Sequence, residues 1–403
     1  MSRPYDNLET RPLAERDAAL AEALSEQISR AAGLPGYAGR LKPIAIAERG
    51  DLAKLGVLRK SDLVALQKNA PPLGGLTTLA PSEFDYLHQS PGPIYEPGRR
   101  SRDWWRLGRF LHAAGIGAGD VVQNCFGYHL TPAGHMFENA AEAVGASVIP
   151  AGTGQTALQV EAAAALGATA YAGTPDYLKV ILEAADEAGV TLGITRAVVS
   201  GGALFPSLRD WYRGRGISCV QAYATADLGL IAYESPGEDG MIVDEGVAVE
   251  IVTPGTGNVV PNGEVGEVVV TTLNPDYPLV RFATGDLSAV MPGVSPCGRT
   301  NMRIKGWMGR ADQTTKIKGM FVRPEQVADL VARNQGVTRA RVVASRDGEA
   351  DVMTVRVEGS GVDEAALAAS VKDVLKLGGV IELVADGALP RDGVVIEDTR
   401  SYD

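Results

Sequence analysis

The chain has 403 residues, of which 45% are hydrophobic and 22% are charged, and its formal net charge is −11. One hydrophobic core rarely serves so long a chain, so length and composition predict an ordinary globular protein with two domains. The basic residues are scattered along the chain, which excludes the phosphate-binding stripe of nucleic-acid proteins. No 18-residue apolar run or signal-type segment occurs, so we expect no membrane partner and a cytoplasmic location.

The three cysteines, Cys125, Cys219 and Cys297, stand far apart and form no C-x-x-C pair. An odd number at such spacing indicates neither a disulfide framework nor a zinc ribbon. The cysteines therefore suit a reducing compartment.

The first part of the chain is predicted to be an α/β domain. Residues 1–28 are typical of an acidic amphipathic helix, and from about residue 100 helical patterns alternate with short β-branched runs, as in 103–115, 120–126 and 133–145. Strands that alternate with helices of this length predict βαβ units and a mostly parallel sheet. Ligands of such sheets lie beyond the carboxyl ends of the strands.

The pattern changes in the later part. Residues 247–273 read as an antiparallel β-meander because valine-rich strands are interrupted by Pro-Gly and Asn-Gly turns. Residues 324–403 carry two helix patterns interleaved with strand patterns, which predicts a small α+β domain. Placing the boundary in the 306–312 stretch divides the chain into domains 1–308 and 309–403.

Four stretches resemble one family. Residues 221–233, 279–290 and 295–331 resemble, in order and spacing, the late core motifs of adenylate-forming enzymes, and 126–160 is similar to the substrate region of the phenylacetate-CoA ligase branch. The resemblance implies an α/β, acyl-CoA synthetase-like fold with a large N-terminal domain that includes the meander and a small, mobile α+β C-terminal domain.

The resemblance also implies an activity. In this family a carboxylic acid attacks ATP to give an acyl-adenylate and pyrophosphate, the C-terminal domain rotates, and CoA then displaces AMP. We therefore expect an AMP-forming ligase for an aryl or other carboxylic acid, with ATP, CoA and Mg²⁺ as its cofactors. A homodimer is compatible with the sequence.

Asp286 and Arg310 are the expected ribose contacts. A carboxylate after a Thr-Gly turn can accept hydrogen bonds from both ribose hydroxyls, and the small neighbours of Arg310 let its guanidinium fold onto a ligand. Alone, each motif also fits an ordinary turn or a solvated linker. The resemblance implies a hinge at Asp312, and it places Lys318, with Gly319, near the CoA route.

The adenine and α-phosphate are expected at two further stretches. Glycines after a strand permit close backbone approach to a flat ring, so Gly201, Gly202 and Ala203 match the family's adenine shelf, although Leu204 replaces a frequent Glu. In the next motif the resemblance implies that Tyr223 stacks on adenine beside Ala224 and Thr225. Ala226 replaces a hydroxyl residue that touches the α-phosphate. Asp227 replaces the Glu that holds Mg²⁺; it is also a hard oxygen ligand but reaches one methylene less.

The acid is expected near residues 126–156. By resemblance the acid pocket includes Tyr128, His129, Gly152 and Thr153. Nearby polar side chains, His135, Gln155 and Thr156, could orient a carboxylate or face the nucleotide. Packing, capping and a polar turn are the alternatives for these side chains.

Two departures from the family affect the adenylation step. Where the family has a phosphate loop ending in Lys-Pro, this chain has SPGPIYEPG (residues 90–98); Ser90, Gly92 and Pro97 fit, but Glu96 takes the place of the Lys. Prolines remove N–H donors that a phosphate cradle uses, and a glutamate repels a triphosphate. A stiff lid is the alternative interpretation of this loop.

The second departure lies near the C-terminus, where Val394 follows Gly393 at the position of the family's catalytic Lys, and no lysine occurs beyond Lys376. Such a lysine stabilises charge in the transition state. A homologue that binds nucleotide or acyl-CoA, with lost or altered adenylation, is therefore the alternative function. Some members of the branch carry a structural zinc, but only Cys297 remains here, so none is expected.

Overall fold

The computed structural model describes residues 3–90, 93–101, 103–237, 239–311, 313, 315–318, 320–347 and 350–400. Its contacts divide the chain into two compact units. The first comprises residues 1–249, 270–282 and 291–307, and the second comprises 250–269, 283–290 and 308–403. The predicted domain boundary at residue 308 stays a prediction.

The helices follow the predicted patterns. The helix expected within residues 1–28 is present as α1 but begins only at Leu13, and prolines occupy the first position of α6, α7 and α8, where the missing N–H costs nothing. Gly145, with a φ of 80°, ends α4 in the left-handed conformation. The helices are α1 (Leu13–Ala32), α2 (Lys60–Asn69), α3 (Gly108–Ala113), α4 (Ala133–Val144), α5 (Thr156–Ala165), α6 (Pro175–Glu187), α7 (Pro206–Gly214), α8 (Pro324–Arg333) and α9 (Glu364–Leu375).

The strands are β1 (Leu58–Arg59), β2 (Tyr86–Ser90), β3 (Ile94–Gly98), β4 (Val121–Asn124), β5 (Ser147–Ile149), β6 (Ala170–Gly173), β7 (Arg196–Val199), β8 (Ser218–Thr225), β9 (Gly229–Tyr233), β10 (Met241–Val243), β11 (Val247–Val252), β12 (Val265–Thr272), β13 (Phe282–Met291), β14 (Arg303–Ile304), β15 (Thr315–Ile317), β16 (Met320–Val322), β17 (Val337–Asp347), β18 (Ala350–Gly359), β19 (Val380–Val384) and β20 (Ile396–Asp398).

A mixed sheet forms the centre of the first unit, with strand order β5-β4-β6-β7-β8-β9-β10-β14. The strands from β5 to β8 are parallel, which confirms the predicted βαβ units, and β9, β10 and β14 continue the sheet antiparallel. Buried side chains such as Phe110, Phe137, Val198 and Leu230 build the core on this sheet. The carboxyl ends of the parallel strands therefore share one edge.

The second unit holds the predicted small α+β arrangement. A four-stranded sheet with order β19-β18-β17-β20 shares a core with helices α8 and α9, which contains Leu330, Val342, Val355 and Leu367. Strands β15 and β16 form a separate hairpin. In the meander region, strands β11, β12 and β13 are neighbours in that order. Each of these strands has residues that belong to the first unit and residues that belong to the second.

The SPGPIYEPG stretch belongs to an antiparallel hairpin of β2 and β3. The paired residues run from Tyr86 opposite Gly98 to Ser90 opposite Ile94, and Gly92 lies outside the described residues. Across the described part of the chain, every helix is too short or too polar to span a bilayer.

Candidate active site

The predicted adenine shelf lies at the carboxyl edge of the sheet. Residues 201–203 follow strand β7 directly, and the Ser200 hydroxyl anchors this turn by donating to the Ala222 carbonyl at 3.0 Å. Gly201 has a φ of 72°, and a Cβ on Gly202 would lie 3.3 Å from the Pro175 ring. Both glycines therefore suit a backbone that a ring can approach.

The next predicted segment ends the neighbouring strand. Tyr223 lies in β8 with 8% of its surface exposed, and Asp227 lies in the tight turn from β8 to β9. The Leu228 N–H donates to the Thr225 hydroxyl at 3.2 Å, which shapes this turn. Because β7 and β8 are parallel neighbours, residues 201–203 and 223–227 share the sheet edge where such folds bind ligands.

Asp227 is buried and paired with a lysine. Its Oδ2 accepts a hydrogen bond from Nζ of Lys60 at 2.9 Å; the Asp227 side chain is 1% exposed and the Lys60 side chain 37%. The other oxygen, Oδ1, is buried without a hydrogen-bond partner. Lys60 is the first residue of helix α2, 167 positions before Asp227.

Glu96 points into the interior from the hairpin. It stands opposite His88 in the register of β2 and β3, it is 0% exposed, and among the described residues neither of its carboxyl oxygens has a hydrogen bond of good geometry. Burial, and next the charge of Asp227, raises the pKa of Glu96 to about 8, although Ser90 and Lys60 oppose this shift. The hairpin thus presents a buried carboxyl group where the family has a phosphate loop.

Two contacts fix the hairpin in place. The side-chain amide of Gln67 on α2 donates to the Tyr95 carbonyl at 2.7 Å and accepts from the Tyr95 N–H at 2.9 Å. Gly98 at the end of β3 packs so closely that a Cβ would lie 2.6 Å from the Trp105 ring. Helix α2 therefore holds both the hairpin, through Gln67, and the turn that contains Asp227, through Lys60.

Two of the four predicted acid-pocket residues meet at Asn124, which sequence reasoning missed. Asn124 is fully buried at the end of β4, its Nδ2 donates to the Tyr128 hydroxyl at 2.8 Å, and its carbonyl accepts from the Gly152 N–H at 3.0 Å. His129 and Thr153 are exposed. The structure thus brings Tyr128 and Gly152 together.

Histidines extend this region toward the hairpin. The His135 ring lies 5.1 Å from the Tyr128 ring and 5.3 Å from the His88 ring, and one nitrogen of each histidine is buried without a partner. Burial, and next the neighbouring His135, lowers the pKa of His88 to about 4. The rings of Tyr128, His135 and His88 therefore form a continuous group of polar aromatic side chains. This group reaches the hairpin at His88, which stands opposite Glu96.

In the second unit, Asp286 and Arg310 are bonded to each other. Asp286 lies in β13 with 8% exposure, its Oδ1 accepts a hydrogen bond from Arg310 Nη1 at 2.9 Å, and their backbones form a β-bridge. Gly285, with a φ of 75°, leaves room for the guanidinium, since a Cβ there would lie 2.9 Å from Nη2. The two predicted ribose residues are thus adjacent, with Arg310 more than half exposed.

The remaining predicted residues lie elsewhere in the second unit. Lys318 is exposed in the β15–β16 hairpin, and its N–H donates to Asp351 at 3.0 Å. Asp312 and Gly319 lie outside the described residues. The Gly393 carbonyl accepts from Gln313 Nε2 at 2.9 Å, which fixes the backbone beside the half-buried Val394.

Comparison with known proteins identifies the family. The family model described as AMP-binding enzyme matches residues 128–274. Phenylacetate-coenzyme A ligase from Thermus thermophilus is 30% identical over 330 residues, which cover 76% of this chain and 72% of the relative. This chain belongs to the phenylacetate-CoA ligase-like branch of the adenylate-forming enzymes. The relative from Aromatoleum evansii, also named phenylacetate-coenzyme A ligase, is 29% identical over 325 residues with the same shares covered.

Solved structures agree with the family's fold. A crystal structure of 2-hydroxyisobutyryl-CoA ligase in the post-adenylation state, in complex with 2-HIB-AMP, matches with a TM-score of 0.73 and 25% identity over 99% of this chain and 94% of that chain. The expected acyl-CoA synthetase-like α/β fold is therefore confirmed.

The donor set near Asp227 suits the Mg²⁺ that this ligase family implies. Among the residues described, no group of three or more His, Cys, Asp or Glu side chains could hold a metal. Mg²⁺ at nucleotide sites needs only one or two carboxylates, because phosphates and water supply the other ligands. Oδ1 of Asp227 is a buried oxygen without a partner, which fits such a cation. The metal role of Asp227 stays a prediction.

The adenylate-forming motifs were recognisable, but several of their partners were not. Lys60 and Gln67 stand far from the family motifs in sequence, and Asn124 lies just before the 126–160 stretch. Glu96 was recognised as a departure from the family, yet its full burial depends on strand register.

Cys297 contacts the Ser295 hydroxyl at 3.0 Å and Arg299 at 3.4 Å.

Proposed function

We propose that this protein is an AMP-forming ligase that joins an aryl or other carboxylic acid to CoA through an acyl-adenylate. The observation that carries this proposal is the Asp286–Arg310 pair, because the two residues that the resemblance assigns to the ribose are bonded to each other. Membership of the branch supports the same reaction.

The reaction has two balanced steps. A carboxylate oxygen of the acid attacks the α-phosphorus of ATP, and the bond to pyrophosphate breaks. The CoA sulfur then attacks the acyl carbon, the carbon–oxygen bond to AMP breaks, and the thiol proton is released. Neither step needs an oxidant or a reductant.

Each predicted residue has a proposed role. Asp286 and Arg310 bind the ribose, and the backbone of residues 201–203 with the Tyr223 ring binds adenine. Ala224, Thr225 and Asp227 face the α-phosphate. The residues proposed for the acid are Tyr128, His129, Gly152 and Thr153. Lys318 acts in the CoA step, and Asp312 is the hinge about which the C-terminal domain turns.

The cofactors are ATP, CoA and Mg²⁺. Asp227 is the proposed protein ligand for the cation, which neutralises charge on the phosphate oxygens when bound. A cytoplasmic location and a homodimer stay predictions.

The experiment is pyrophosphate release from ATP with a panel of aromatic and aliphatic acids, followed by thioester formation when CoA is added. We expect at least one acid to give both signals, and Asp286→Ala to lose AMP binding with an unchanged melting curve. Absence of both signals with every acid, or unchanged AMP affinity in Asp286→Ala, would overturn the assignment.

A second candidate is a homologue with altered adenylation, which Glu96 and Val394 favour because each replaces a family lysine. Such a protein would convert a supplied acyl-adenylate and CoA to thioester but would release no pyrophosphate from ATP. Running both assays on the same preparation separates the two candidates.

A further inference from the structure

Two carboxyl groups from separate parts of the first unit share one buried location. Glu96 is 0% exposed and Asp227 is 6% exposed. Among the described residues, the Lys60 ammonium donates to Oδ2 of Asp227, whereas Oδ1 of Asp227 and both oxygens of Glu96 have no hydrogen bond of good geometry; Ser90 is the polar neighbour of Glu96. Buried carboxyl oxygens without partners are costly, so this arrangement points to a ligand that satisfies them.

Contacts with Trp105 bring together the segments that carry the two carboxyl groups, and the charge of Asp227 acts on Glu96. Gly98, two residues after Glu96, would place a Cβ 2.6 Å from the Trp105 ring, and Gly229, two residues after Asp227, would place one 2.7 Å from the Trp105 carbonyl oxygen. The Leu230 N–H also donates to that carbonyl at 3.0 Å. One buried tryptophan therefore holds both chain segments.

Helix α2 gives a second, independent constraint. Gln67 bonds the backbone of Tyr95, the neighbour of Glu96, while Lys60 bonds Asp227. These two α2 residues are seven positions apart, which is about 10 Å along a helix and places both on one face. The segments that carry Glu96 and Asp227 therefore both contact this face of α2.

The charges and ligand atoms of this region suit a divalent cation. Two carboxyl groups lie near a single ammonium group, and the available ligand atoms are their oxygens, the atom type that Mg²⁺ and Mn²⁺ prefer. No third His, Cys, Asp or Glu in the described part of the chain joins them, so phosphate oxygens and water would complete the coordination, as is usual for Mg²⁺ at nucleotides.

We propose that Glu96 is the second carboxylate ligand of a divalent-cation site shared with Asp227. This inference rests on the proposed function, because it extends the cation site expected for the nucleotide. It explains both departures from the family together: Asp227 reaches one methylene less than the family's Glu, and Glu96 supplies a carboxylate from the hairpin that replaces the phosphate loop. With a cation bound, Glu96 attracts the metal–nucleotide complex rather than repelling the phosphates.

The test measures cation binding without turnover. Mn²⁺ is titrated into wild type, Glu96→Gln and Asp227→Asn, with and without AMP, and free Mn²⁺ is followed by electron paramagnetic resonance; Mg²⁺ competes for the site. We expect wild type to bind Mn²⁺ more tightly with AMP, and each variant to weaken this binding by about tenfold or more. Glu83→Gln, which removes an exposed carboxylate just before β2, should bind like wild type.

Two results would overturn the proposal. One is wild-type protein that binds no Mn²⁺ even with AMP, and the other is Glu96→Gln that binds Mn²⁺ as wild type does. Thermal melting without metal separates binding from folding: Glu96→Gln should melt near the wild-type temperature, because an amide has nearly the size and polarity of a neutral carboxyl group, yet lose the Mn²⁺-induced rise. If every acid fails in the turnover assay, the ligase function is overturned. The Mn²⁺ titration still tests the cation site, because it does not depend on turnover.

Discussion

Nζ of Lys60 lies 2.9 Å from Oδ2 of Asp227, which joins the first residue of helix α2 to the turn that closes strand β8. A cation at a helix N-terminus is disfavoured by the helix dipole, so this lysine depends on the carboxylate for stabilisation. The carboxylate equally depends on the lysine, because its side chain is 1% exposed. The pair therefore joins helix α2, which belongs to no family motif, to the turn that contains the proposed metal ligand Asp227.

Breaking this pair should destabilise the protein. Lys60→Met leaves the buried Asp227 charge without its partner, and we expect a loss of about 1–3 kcal/mol in the free energy of unfolding, below the range for fully buried pairs because Lys60 is partly exposed. Urea unfolding measures this loss. In an Asp227→Asn background the same substitution should cost much less. Equal costs in both backgrounds would show that the pair contributes no coupling, and Lys68→Met on the exposed face of α2 is the matched control.

Stability should fall in mild acid because of His88. Its folded pKa of about 4 lies below the ordinary value of 6.5, so the folded state binds fewer protons between these values. The contribution of neutral His88 to the free energy of unfolding is therefore fully present above pH 6.5. It is lost as the pH falls toward 4. His88→Phe should reduce this loss by about 1–3 kcal/mol, measured by urea unfolding at several pH values. The exposed His129→Phe should keep the wild-type profile, and an identical profile for His88→Phe would contradict the prediction.

Cys297 should be the most reactive thiol. Burial opposes ionisation, but hydrogen bonds from Ser295 and then Arg299 outweigh it and lower the pKa of Cys297, whereas burial raises the pKa of Cys125 and Cys219 to about 12. Because the thiolate is the nucleophile, iodoacetamide should label Cys297 first, as followed by mass spectrometry. Urea-unfolded protein should label all three at similar rates. Equal rates in the native protein would contradict the assigned hydrogen bonds.

A lysine at position 394 should accelerate adenylation. Val394 is half-buried beside a backbone fixed by Gln313, so a longer side chain can extend without disturbing the fold. Restoring the family's charge should increase pyrophosphate release by about 30- to 1000-fold, which corresponds to about 2–4 kcal/mol. Val394→Met controls for side-chain length.

Thioester formation from supplied acyl-adenylate should stay unchanged in the lysine variant, because the family's lysine acts only in the first step. If wild type already adenylates at the rate of Val394→Lys, the charge comes from another residue, with Lys316 and Lys318 as candidates.

Local patterns were sufficient for much of the fold. The alternation of strands and helices predicted the parallel sheet because side-chain periodicity is a property of neighbouring residues. The Thr-Gly-Asp and Gly-Arg-x-Asp strings predicted the ribose contacts through the family resemblance; Asp286 and Arg310 lie bonded to each other, and their ribose role stays a prediction. Residues 201–203 and 223–227 also lie at the predicted sheet edge.

Only the tertiary structure decided which side chains meet at the site. Lys60 and Asp227 are separated by 167 positions, and no periodicity relates them. Glu96 appeared from the sequence as a repulsive substitution in a proline-rich loop. The register that sets it opposite His88, and the packing of Gly98 on Trp105, turn it inward, where its unpartnered oxygens face the region of Asp227. The physical reason is that motifs record local backbone geometry, whereas burial and charge pairing arise from packing between segments that the chain brings together only when it folds.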